Sequence, residues 1–60
     1  MIIGTTYYHN SGCGYMQLKQ ITGTSKERIY VLHDNFGRVF YYNDSDMKYL
    51  KAHSKERSEQ

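Results

Sequence analysis

Arg28-Ile29-Tyr30-Val31-Leu32-His33-Asp34, then Asn35-Phe36-Gly37, then Arg38-Val39-Phe40-Tyr41-Tyr42-Asn43 is the stretch that decides the fold. Two runs of β-branched and aromatic residues flank a turn cluster, the pattern of a β-hairpin. Asp34 suits the first position of a type I turn, where its carboxylate accepts from backbone N–H groups further on. Gly37 suits the position that must take positive φ, the bulge site of a three-residue loop. With Asn35-Phe36-Gly37 as that loop, Asp34 faces Arg38, His33 faces Val39, Leu32 faces Phe40, Val31 faces Tyr41 and Tyr30 faces Tyr42.

Side chains alternate across a strand, so this register sorts the hairpin into two faces. One carries Tyr30, Leu32, Phe40 and Tyr42, with Asp34 and Arg38 at the tip. The other carries Ile29, Val31, His33, Val39 and Tyr41. Both are apolar, whereas a hairpin with one solvated face alternates apolar and polar. Each face therefore needs cover.

Working outward, residues 2–9 form a first strand weakened by Gly4, and Asn10-Ser11-Gly12-Cys13-Gly14 is a loop. Residues 15–22 form a second strand, with Met16 and Leu18 on one face and Tyr15 and Ile21 on the other. Gly23-Thr24-Ser25-Lys26 is the turn into the hairpin. Asn43, Asp44 and Ser45 offer N-caps for a short helix ending near His53, with Met47 and Leu50 at i, i+3 spacing and Tyr49 turned elsewhere. Residues 54–60 contain no apolar side chain and are expected to form a charged, disordered tail beyond a single domain of residues 1–53. The expected class is mainly β: a small antiparallel meander or SH3-like barrel of about four strands with a short C-terminal helix. Such an architecture carries no function by itself.

Sixty residues make one small domain with a marginal core. The single cysteine, Cys13, excludes an internal disulfide, and an unpaired cysteine suits a reducing compartment. Met1-Ile2-Ile3 lacks the apolar length and basic flank of a signal peptide, and no stretch approaches the length of a membrane span. A cytoplasmic setting is expected, the host cytoplasm if the chain is phage-encoded, with no membrane partner.

No motif for catalysis, metal or nucleotide stands out, and no cofactor is expected. His9, Cys13, His33 and His53 lack the paired spacing of zinc ligands. Gly12-Cys13-Gly14 leads into a strand rather than the helix that a phosphate-cradling loop requires. An enzyme needs a nucleophile or acid–base pair beside a pocket, for which a sheet this small leaves little room.

Aromatic content carries the functional signal: seven tyrosines and two phenylalanines, mostly on strands. Tyrosine supplies contact area at low entropic cost, which suits protein binding. Tyr30, Leu32, Phe36, Phe40 and Tyr42 are the expected partner or self-association surface, with Phe36 at the hairpin tip as an anchor. The resulting expectation is a non-catalytic protein-binding module, homo-oligomeric through the hairpin. In size and type it resembles the accessory proteins of phages and mobile elements that dock on a larger host protein and inhibit or modulate it. The alternative is a small β-barrel that binds single-stranded nucleic acid through Tyr7, Tyr8 and Tyr41 with Lys19, Arg28 and Arg38. A net charge of only +2 favours protein, because phosphate neutralisation dominates nucleic-acid affinity.

Overall fold

The computed structural model describes residues 3–10, 12 and 14–57. Cys13 and the Gly12-Cys13-Gly14 loop as a unit therefore lie outside the described residues, as do residues 58–60 of the tail. The chain is mainly β, with five antiparallel strands in one open sheet and one short helix. The strands are β1 (Thr6–His9), β2 (Tyr15–Gly23), β3 (Arg28–Asp34), β4 (Val39–Tyr42) and β5 (Ser54–Arg57), and helix α1 spans Asp44–Ala52. Spatial order is β4-β3-β2-β1-β5. The first four strands form a meander and the sheet stays open rather than closing into a barrel. Helix α1 then carries the chain back from the β4 edge to the β5 edge.

The hairpin has the expected register, Tyr30↔Tyr42 through His33↔Val39. Asp34 builds the turn. Its Oδ1 accepts from the N–H groups of Phe36 (2.9 Å) and Arg38 (2.8 Å), while the Gly37 N–H donates to the Asp34 carbonyl. Gly37 holds φ of 81° in open space, so only the backbone conformation selects glycine there. Gly23 is selected twice over: φ is 90°, and an added Cβ would strike the Glu27 carbonyl.

The core lies on one face of the sheet. It consists of Tyr7, Met16, Leu18, Tyr30, Leu32, Met47 and Leu50, with Phe40 and Tyr42 packed against it. This reverses the expected use of the hairpin: the Tyr30–Leu32–Phe40–Tyr42 face is the chain's own interior, and α1 covers it. The opposite face, with Ile29, Val31 and Val39, is not under the helix. The cause is local. β4 ends at Tyr42, Asn43 starts α1 directly, and the Tyr30 hydroxyl donates to Asp44 Oδ1 at 2.7 Å, drawing the helix onto the bulkier face. A capping box fixes that start: Asp46 N–H donates to Asn43 Oδ1 at 2.8 Å, and Asn43 N–H donates to Asp46. Such a cap contributes about 1 kcal/mol. Met47 and Leu50 point inward as their spacing predicts.

A bulge in β2 between Leu18 and Gln20 resets the alternation. Ile21 consequently pairs with Tyr30 and shares Leu18's face, not that of Tyr15.

The tail expected to be disordered is a strand over Ser54–Arg57, fully paired with β1. Nothing apolar in residues 54–57 announces it. Its stability comes from backbone bonds to β1 and from closing over Tyr7, which is 0% exposed. Removal of everything after His53 should therefore lower the melting temperature by roughly 10 °C or more, since uncovering a buried aromatic costs about 2 kcal/mol. An unchanged transition would show that β5 adds nothing.

The Tyr7 hydroxyl is buried and, among the described residues, makes no hydrogen bond of good geometry, with only a weak interaction toward Glu56. Burial, helped by the Glu56 charge on β5, pushes its pKa up to about 12. A raised acid stabilises the fold fully below the unfolded value near 10, and that stability is lost as pH rises through about 12. Tyr7→Phe should be as stable as the parent or more so at pH 7, because the buried hydroxyl it deletes is poorly hydrogen-bonded. It should also resist alkaline unfolding better, as measured by urea midpoints at neutral and high pH.

Candidate protein-binding groove

Helix α1 covers only part of the core face. Beside it, between the helix and the hairpin tip, runs a groove made of two adjoining depressions. One, of about 300 Å³, is lined by His9, Met16, Tyr41, Tyr42, Asp46, Tyr49, Leu50 and His53. The other, of about 160 Å³, is lined by His9, Tyr15, Met16, Asp34, Asn35, Phe36, Arg38, Phe40 and Tyr42. His9, Met16 and Tyr42 line both, so the depressions adjoin.

Each wall is held in place by its own element. On α1, Tyr49 and His53 sit four residues apart and stack, with centroids 4.1 Å apart, while His53 Nδ1 lies 2.9 Å from the Tyr49 carbonyl. On β4, Phe40 and Tyr42 share a face with centroids 6.1 Å apart, and the Tyr42 hydroxyl donates to Met16 Sδ. At the tip, Arg38 lies over the rings of Phe36 and Phe40, 5.6 and 5.5 Å from their centroids. Its Nε donates to Asp34 Oδ2 at 2.7 Å. The groove thus has an apolar floor, aromatic walls and a polar rim. Its side-chain hydrogen bonds run to backbone, to a thioether and, at the tip, from Arg38 to the Asp34 carboxylate. Among the described residues, no cluster of three or more His, Cys, Asp or Glu side chains is placed to hold a metal ion.

The expected partner surface is divided by the structure. Tyr30 and Leu32 are core residues at 4% and 0% exposure and cannot form a surface. Phe40 and Tyr42 are half-buried in the groove wall, and Phe36 stands 74% exposed at its end. Of the expected nucleic-acid residues, Tyr7 is buried and unable to stack a base. Tyr8 and Tyr41 are exposed on the sheet face away from α1. Lys19 is exposed at the β2 bulge, and Arg28 is exposed at the start of β3. Arg38 is engaged by Asp34 and two rings. His9, Met16, Tyr49 and His53 were not expected in the site. The i, i+4 spacing of Tyr49 and His53, off the Met47–Leu50 stripe, was the available signal.

Comparison with known families, curated proteins and solved structures gives no match. No described helix is long and apolar enough to cross a membrane.

Burial pushes the Asp34 carboxyl up, but hydrogen bonds from the Arg38 and Phe36 N–H groups and the Arg38 guanidinium outweigh it, with the Arg38 charge adding to them. The net effect holds Asp34 below the usual carboxylate range. A lowered acid stabilises the fold above its unfolded value near 4, and the contribution is lost as pH falls through the folded value. Asp34→Asn should therefore be less stable than the parent at pH 6 and show a smaller deficit at pH 2, as read by urea midpoints. An equal deficit at both values would mean that the carboxylate's charge is irrelevant to the turn.

Proposed function

We propose that this chain is a non-catalytic protein-binding module that captures an extended segment of a larger protein along β4 and modulates that protein by docking on it. The observation that carries this is the coincidence of the aromatic groove with an edge strand. β4 ends the sheet on one side, and the groove lies against it. In the hairpin ladder, Asp34 N–H bonds the Arg38 carbonyl, so the alternating pattern turns Phe40 and Tyr42 toward β3 and leaves Val39 and Tyr41 backbone groups facing outward. An added strand would bond to those groups and drop alternate side chains into the groove.

The two edges differ in a way that supports this. β5 is Ser-Lys-Glu-Arg, and charged side chains discourage strand addition. β4 is Val-Phe-Tyr-Tyr, without a charge, and its Val39 and Tyr41 are 45% and 70% exposed. Phe, Tyr, Met and Arg around the groove are residue types that anchor interfaces.

Selection from a random peptide library against the intact protein tests the proposal. Selected peptides should carry large apolar residues at alternate positions, and should shift the Val39, Tyr41, Phe36 and Tyr49 signals in NMR titration. Tyr49→Ala together with Phe36→Ala should weaken binding by about tenfold or more, since removing an anchor costs above 1 kcal/mol. Peptides that shift only Tyr8 and Lys55 would overturn it. Concentration-dependent loss of the same β4 signals without peptide would identify a second copy as the occupant.

A further inference from the structure

The sheet face away from α1 has a different character from the groove. The registered pairs place side chains there in rows. One row runs Lys55–Tyr8–Tyr15 across β5, β1 and β2. The next runs Arg57–Thr6–Gln17–His33–Val39 across all five strands. Tyr8 and Tyr15 are 39% and 40% exposed, with ring centroids 5.8 Å apart. Lys55 and Arg57 are exposed.

Charge is segregated between the two faces. Asp34 and Glu56 pair with Met16 and Tyr7, so both lie on the core side. Asp44 and Asp46 are on α1, which packs on that same side, and Glu27 is in the β2–β3 turn. Among the described strand residues, the outer face therefore carries tyrosines and cations with no carboxylate.

We propose that this outer face is a stacking platform for single-stranded nucleic acid, a site on the other side of the sheet from the groove that shares only Tyr15 with the groove's margin. Bases have π-faces that stack on Tyr8 and Tyr15 in a sequence-tolerant way, and phosphates are neutralised by Lys55 and Arg57 alongside. A duplex hides its base faces and loses the stacking part of this recognition. The low net charge of the chain is no obstacle, because what a strand meets is the local charge of this face.

Titration of the intact protein with labelled oligothymidylate and oligouridylate of roughly ten nucleotides, and with a matched duplex, tests the proposal. Two neutralised phosphates predict a log–log salt slope of about −1.4, which is about tenfold weaker binding between about 25 and about 150 mM salt. The Lys55→Gln, Arg57→Gln double variant should lose most of that slope. Tyr8→Leu should weaken binding about tenfold and leave the slope unchanged. Ring-proton shifts at Tyr8 and Tyr15 of the unmodified protein, with Tyr49 unmoved, locate the site even if a variant fails to fold. Preference for either oligonucleotide over the duplex would support the site. No binding at low salt, duplex bound as tightly as single strands, or binding of polyglutamate without binding of oligonucleotide would overturn it.

Discussion

Everything else in the structure depends on one burial: the Tyr30–Leu32 face of the central hairpin packed under Met47 and Leu50 of α1. Leu18 and Leu32 face each other directly at 0% exposure, and Met47 closes over the same core at 2%. Each such residue contributes about 1.5–3 kcal/mol, a large share of what holds so small a domain together. The Tyr30–Asp44 hydrogen bond and the Asn43 capping box aim the helix, and the helix in turn delivers Ser54 to the β1 edge. Without that burial neither β5 nor the groove has a reason to exist.

The hairpin was legible from local chemistry. Asp34 and Gly37 permit one turn, and that turn permits one register. The cap at Asn43 and the inward pair Met47 and Leu50 were legible for the same reason, since each is a short-range rule. What the sequence hid was long-range. Both hairpin faces are apolar, so composition does not say which one the helix takes. The answer rests on a hydrogen bond between residues 14 apart. The β2 bulge, which moves Ile21 across the sheet, has no residue signature of its own. β5 contains nothing but polar and charged side chains and is specified by the free edge of β1.

The functional surfaces follow from that choice of face. Had the helix taken the Val31–Val39 side, Leu32 and Phe40 would have stood in water and demanded a twin. Instead those side chains are used internally, and the uncovered part of the core face becomes an aromatic groove beside an uncharged edge strand. The outer face, relieved of structural duty except at residues such as Val31, Thr6 and Gln17, displays tyrosines and cations. One thin sheet thereby offers two chemically distinct sides, on which the two binding proposals rest.

Proton–proton contacts in solution test the choice of face most directly. The account predicts cross-peaks from the Met47 and Leu50 methyl groups to Leu32, Tyr7 and Tyr30, and none from them to Ile29, Val31 or Val39. Contacts between the helix methyls and Val31 or Val39 would contradict it, since the groove and the outer face would then exchange places.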